Sequence, residues 1–218
     1  MGFKLAIDGP AASGKSTISQ RLAKKLGWTH IDTGSMYRAV TLIALERKID
    51  LANETNYSFV KDLDIKYQQE KVFVDGRDVT TAIREPIVNE NVSLVSSFPN
   101  VRKELVALQK KAASEGNVIV DGRDIGTVVM PEADLKIFLI ASVDERSRRR
   151  LYDLLNSGKE VDINKVKQDL SIRDEKDSTR KESPLVKASD AILLDTTDLS
   201  INETVEKIIN LVNNKRGE

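Results

Sequence analysis

Short apolar, β-branched runs recur at residues 3–7, 117–120, 135–140 and 191–194. Runs of that length without polar alternation suit strands buried on both faces of a parallel sheet. Between them the apolar positions change period. Ile18, Leu22, Ala23 and Leu26 mark one helical face, Met36, Val40, Ile43 and Ala44 a second, and Leu105, Leu108 and Ala112 a third. This alternation predicts a doubly wound α/β fold, read as one domain over residues 1–218. A last helix is expected over 201–212, because Ser200 is followed by Glu203 at capping-box spacing.

One stretch breaks the rhythm. Residues 63–83 alternate roughly and contain Asp75-Gly76, a hairpin-turn pair, which predicts a small antiparallel β insert outside the main sheet. The 86–98 stretch and the start signal at Pro99 return the chain to helices.

Composition narrows the function classes. Charged residues are 31% and hydrophobic ones 40% of 218 residues, which is ordinary for a globular protein. Lys+Arg and Asp+Glu both number 34, so no net charge draws the chain to nucleic acid or anionic membrane, and any anion site must be local. The absence of cysteine excludes disulfides, thiolate zinc sites and a thiol nucleophile. No apolar stretch approaches a membrane span and the N-terminus reads as a strand, so a cytoplasmic location is expected.

The residues between the first strand and the first helix carry chemistry. Gly9, Pro10, Ala11, Ala12, Ser13, Gly14, Lys15, Ser16 and Thr17 match G-x-x-x-x-G-K-[ST]. In this P-loop motif the backbone wraps a phosphate and aims N–H groups at it from a helix start. The motif gives Lys15 the β/γ-phosphates and Ser16 a bound Mg²⁺. An ordinary Gly-rich turn is the alternative, and the strand-to-helix context argues against it.

Four further clusters could complete a phosphoryl-transfer site, where positioning and charge neutralisation do most of the catalysis. Asp121-Gly122-Arg123-Asp124 follows a strand at its carboxyl end, where open α/β sheets bind ligands. Arg123 can fork onto a phosphate and Asp124 can accept from an exocyclic amine, or both can be solvated flanks of a turn. The same tetrapeptide at 75–78 reads as that plain turn. Thr33 and Arg38 lie at the start of a helix and one turn in, and could equally be a cap and a solvated charge. Arg146, Arg149 and Arg150 share a helical face that could close over phosphates as a lid, or simply be solvated. Arg173, Asp177 and Arg180 share another face, able to hold a phosphate and a sugar hydroxyl or to form a surface ion pair. His30 and Trp28, each the only one of its kind, are assigned structural roles. A guanine-nucleotide switch would show a late Asn-Lys-x-Asp, which the 213–216 string lacks.

Together with Phe98-Pro99-Asn100-Val101-Arg102, these strings resemble the bacterial cytidylate kinases nearly end to end. The most specific parts are the 121–129 string and the insert, which is similar to that family's extra three-stranded subdomain. The resemblance implies an α/β fold with a P-loop NTPase-type parallel sheet flanked by helices. It also implies a small antiparallel β insert at about 63–83 in the nucleoside monophosphate-binding region, and an Arg-rich lid at about 143–160. The implied reaction is transfer from ATP to CMP or dCMP with Mg²⁺, giving ADP and CDP or dCDP. Thr33, Arg102 and Asp124 would then recognise cytosine, Thr33 standing where family members often carry serine. Arg38, Arg123 and Arg180 would hold the acceptor phosphate, and Arg173 and Asp177 the sugar. Lys15, Arg123 and Arg180 would be the catalytic cations, with Arg146, Arg149 and Arg150 in the lid. The implied partners are small nucleotides alone, with no nucleic acid or membrane, acting on a monomer. Two rivals stay open at this point. One is a P-loop kinase for another nucleotide or a sugar acid; the other is a nucleotide switch or nucleic-acid binder using the 146–150 run.

Overall fold

The structure is a computed structural model that describes residues 2–68, 71–156, 158 and 160–217. The chain divides into two compact units, Met1–His30 with Glu115–Glu218, and Ile31–Ser114.

The first unit holds a five-stranded sheet save for Ile31 and Asp32, the last two residues of its strand Thr29–Asp32. Strands β1 (Lys4–Asp8), β2 (Thr29–Asp32), β6 (Val118–Gly122), β7 (Leu135–Ile140) and β8 (Ile192–Asp195) run in the order β2-β6-β1-β7-β8. Strand β1 is parallel to both neighbours, with Asp8 opposite Gly122 on β6 and Phe138 on β7. That register brings the loop after β1 and the loop after β6 out at the same carboxyl end of the sheet. Helices α1 (Lys15–Leu26) and α7 (Ile201–Arg216) cover the sheet through Ile18, Leu22, Val205, Ile208 and Val212, which share a core with Leu5, Ile7, Ile137 and Leu139. Full burial of each such side chain contributes roughly 1.5–3 kcal/mol. The expected capping box is present: Ser200 accepts from Glu203 N, and the Glu203 side chain accepts from Ser200 N. Strand β8 departs from the expectation of burial on both faces, because it lies at the sheet edge with Ile192 and Leu193 exposed.

The second unit holds α2 (Thr33–Glu46), a 3₁₀ stretch (Glu54–Asp62), strands β3 (Ile65–Gln68), β4 (Lys71–Val74) and β5 (Arg77–Asp78), then α3 (Pro86–Val95) and α4 (Pro99–Ala112). Both α3 and α4 begin with proline, where the missing N–H costs nothing. The three strands form a separate antiparallel sheet in the order β3-β4-β5. The turn between β4 and β5 places Asp75 at φ 51° and Gly76 at φ 80°, the double positive φ of a tight hairpin turn. These strands share a core with the helices around them: Ile65, Val72 and Val74 pack in one cluster with Val40, Ile43, Val88, Val92 and Leu105. In α2 the buried positions 39, 40, 42, 43 and 44 run almost around the helix, so its apolar pattern is broader than a single stripe.

Candidate active site

The loop that leaves β1 is shaped by close packing. A Cβ on Gly9 would stand 2.1 Å from the Leu139 carbonyl oxygen, so only glycine lets the loop turn away against β7. Gly14, left-handed at φ 91°, is the N-cap of α1 and brings no side chain to it. The first-turn N–H groups are thereby presented to an anion. Lys15 is buried inside the loop, where Nζ donates to the Pro10 carbonyl (2.7 Å) and to Ser13 Oγ (3.3 Å). Burial, and then the nearby Arg123, push the Lys15 ammonium well below the ordinary lysine value. Asp121 and Asp8 oppose this push, and a phosphate beside the ammonium would add to their counter-charge.

Two arginines of α5 (Val143–Asn156) brace this loop from behind. Arg146 donates through Nη1 to the Ala11 carbonyl (3.1 Å) and to Asp174 Oδ2 (2.6 Å), while Asp174 Oδ1 accepts from Ala11 N (3.3 Å). Both polar groups of Ala11 are thus tied into one ring with α5 and with α6 (Ile163–Thr179), which carries Asp174. Arg149 donates to the Ser13 carbonyl (3.2 Å) and the Thr196 carbonyl (2.7 Å). Two of the three arginines expected over the nucleotide therefore hold the loop itself, and Arg150 is half-buried on the same helix.

The loop after β6 adds a charge cluster. Arg123 Nε donates to Asp177 Oδ2 (2.8 Å), and Arg180, just past the end of α6, lies 3.7 Å from Asp124 and 3.9 Å from Asp177. Burial alone would raise the Asp177 carboxyl, but Arg123, Arg173 and Arg180 hold it below the usual range. Asp124 is buried and opens a single π-type turn at Ile125–Val129. That turn hangs on Asp8, whose carboxylate accepts from Ile125 N (2.8 Å) and Gly126 N (2.7 Å). Burial pushes Asp8 up to about 6, with Asp124 raising it further and the two amides and Lys15 opposing.

A further link joins the first turn of α1 to the end of β6. Ser16 Oγ donates to Asp121 Oδ1 (2.8 Å), and His30 Nε2 lies 2.6 Å from Asp121 Oδ2. Serine hydroxyl and carboxylate are hard oxygen donors of the kind Mg²⁺ takes. Among the described residues no group of three or more His, Cys, Asp or Glu could hold a metal. This donor set fits an ion that arrives on nucleotide phosphates and takes one or two protein oxygens.

Within the second unit, Thr33 is the first residue of α2, and its cap is Asp32, which accepts from Ser35 N (3.1 Å) and Ser35 Oγ (2.5 Å). Arg38 Nε donates to Asn89 Oδ1 (3.1 Å), and the Asn89 amide is fixed by the Arg84 carbonyl at 2.7 Å and the Glu85 carbonyl at 3.1 Å. Arg102 is buried, lies over the Tyr37 ring at 5.3 Å and donates to the Ser96 carbonyl (3.1 Å).

The first unit therefore brings together Lys15, Ser16, Arg123, Asp124, Asp177 and Arg180, while Thr33, Arg38 and Arg102 belong to the second. Sequence reasoning missed Asp8, Asp174 and Asn89 as holders of these groups. Asp8 had a signal, since a carboxylate ending a buried strand needs partners; Asp174 and Asn89 had none.

The profile of the cytidylate kinase family matches residues 5–214. The cytidylate kinase of Acholeplasma laidlawii is 56% identical over 99% of this chain and 97% of its own length. That of Carboxydothermus hydrogenoformans is 51% identical over 98% of each chain. Among solved structures, an uncharacterized protein from Eubacterium ventriosum aligns with TM-score 0.55 at 13% identity over 97% of this chain and 98% of that one. A shikimate kinase from Bacteroides thetaiotaomicron gives 0.50 at 15% identity over the same shares, so these likenesses bear on the fold. A parallel sheet with a braced phosphate loop, a separate three-stranded sheet and relatives above half identity along almost the whole length place this chain in the cytidylate kinase family.

Proposed function

We propose that this kinase transfers the γ-phosphoryl group of ATP to CMP or dCMP, giving ADP and CDP or dCDP. The observation that carries the reading is the paired set of half-buried Arg123 and Arg180 with buried Asp124 and Asp177, in the same unit as the phosphate loop. Arginines paired to carboxylates are preorganised to hold an acceptor phosphate and neutralise charge in the transition state.

In this reading an oxygen of the CMP phosphate, already ionised at neutral pH, attacks the γ-phosphorus, and the bond to the ADP oxygen breaks. No general base is needed. Lys15 follows the β/γ-phosphates, and Arg38, Arg123 and Arg180 hold the acceptor phosphate. Arg173 and Asp177 take the sugar, while Thr33, Arg102 and Asp124 read cytosine. Arg150, with Arg146 and Arg149 bracing the loop, forms the lid over ATP. Mg²⁺, held by Ser16 and Asp121 together with the phosphates, would neutralise their charge. We read the chain as a cytoplasmic monomer acting on small nucleotides. Among the described residues no helix is long and apolar enough to cross a membrane, and zero net charge gives no global attraction to nucleic acid.

The test is a coupled ADP-release assay with ATP and, in turn, CMP, dCMP, UMP, AMP and shikimate. Turnover with CMP and dCMP well above the others is expected. Preference for UMP, AMP or shikimate would overturn the assignment.

A further inference from the structure

His30, the only histidine of the chain, has no part in the chemistry above, yet it is buried against that chemistry. It lies on β2, next to β6 in the sheet order, and its Nε2 is 2.6 Å from Asp121 Oδ2 at the end of β6. The pair is sealed, with 8% of His30 and 2% of Asp121 exposed. The other oxygen of the same carboxylate accepts from Ser16, an exposed residue in the first turn of α1. An ionised carboxylate only accepts, so the proton of this contact sits on Nε2 of His30.

We propose that His30 is a positioning residue: by donating to Asp121 it fixes the carboxylate that holds the Ser16 hydroxyl, and so sets how well the loop receives a metal-bound nucleotide. The imidazole is one of the contacts that set the rotation of the Asp121 carboxylate. With Oδ2 engaged by the imidazole, Oδ1 stays on the Ser16 hydroxyl. The hydroxyl proton is then committed inward and the oxygen lone pairs remain available to the ion. Partners behind a ligand commonly change metal affinity about 10–100-fold when removed. The inference rests on the metal reading of Ser16 and Asp121, and goes beyond it by assigning a role to His30.

The experiment measures ADP binding to the full chain by calorimetry, once with Mg²⁺ and once with EDTA. For His30→Met, which keeps bulk but cannot donate, the gain in affinity on adding Mg²⁺ should shrink about tenfold, with metal-free ADP binding little changed. His30→Gln should restore the gain, since its amide can donate from nearly the same place. Equal weakening with and without Mg²⁺ would mean that His30 only supports packing, and would overturn the proposal. An undiminished gain in His30→Met would overturn it too, while leaving the metal reading intact. If the unaltered protein bound ADP equally in both conditions, the metal reading itself would fall and this proposal with it. Should His30→Met not fold, the single imidazole gives a direct probe in the unaltered protein by ¹⁵N-edited NMR. A slowly exchanging Nε2 proton whose shift moves when Mg²⁺ is added to the ADP complex is expected; an unmoved signal would overturn the proposal.

Discussion

Asp124 is a buried carboxylate 3.7 Å from Arg180, and the base assigned to it presents an N4 amine where uracil presents a carbonyl. An acceptor-only group pairs with the amine and repels the carbonyl. Asp124→Asn replaces it with an amide that can donate as well as accept, so the ratio of kcat/KM for CMP over UMP should fall by about tenfold or more. Steady-state kinetics with both substrates checks this, and an unchanged ratio would remove Asp124 from base recognition. Lys15 poses a different trade. Its ammonium is buried in the loop and disfavoured by burial and by Arg123, and in the proposed reaction its contribution is transition-state charge rather than fold stability. Lys15→Met should lower kcat by about 10²–10³-fold while the thermal midpoint holds or rises. A drop in midpoint with turnover largely kept would contradict the phosphate role.

Among elements, the telling contacts are those that tether the loops after β1 and β6. Asp8 at the end of β1 carries the π-type turn through two backbone amides. Its carboxyl is pushed from 3.8 to about 6, so between those values the folded state binds more protons than the unfolded one. The contribution from Asp8 is complete below about 4 and is lost as pH rises through 6, on the order of 3 kcal/mol in all. Unfolding free energies measured across that window should fall with pH more steeply in the unaltered protein than in Asp8→Asn, and parallel curves would contradict the assignment. On the other side of the loop, Asp174→Ala would leave the buried Arg146 without its carboxylate and Ala11 N without its acceptor. Loss of a buried partner of this kind costs about 3–5 kcal/mol, and KM for ATP should rise with it. Denaturant melts and ATP titrations read both effects. These tethers explain what the sequence could and could not show. The β7 run, the Ser200 capping box and the prolines opening α3 and α4 are local signals, and each element forms where its residues point. The exposure of β8 and the Ala11–Arg146–Asp174 ring depend on partners far away in the chain, with Asp174 163 residues from Ala11, so no window of sequence contains them.

For the whole molecule, the helical periods that foretell α2 say nothing of which core it joins. Met36, Val40 and Ile43 pack with the small sheet, whereas Ile18 and Leu22 of α1 pack with the parallel sheet, and the chain divides accordingly into two units with separate cores. The residues proposed for the donor, the phosphate loop and Asp121, belong to the first unit, as do Arg146, Arg149 and Asp174, which hold that loop. The residues proposed for the acceptor are drawn from both units. Ligands protect the elements they stabilise, so the two substrates should leave different footprints in amide exchange. ADP with Mg²⁺ should slow exchange in α1, the phosphate loop and the turn at Ile125–Val129, and leave α2 and α4 near their free rates. Adding CMP should then slow exchange at the start of α2, around Thr33 and Arg38, and in the first turns of α4 around Arg102. Protection of the second unit by ADP alone would show that donor binding already orders it. No protection there with CMP would take Thr33, Arg38 and Arg102 out of the acceptor site and leave recognition to Asp124, Arg123, Arg173, Asp177 and Arg180.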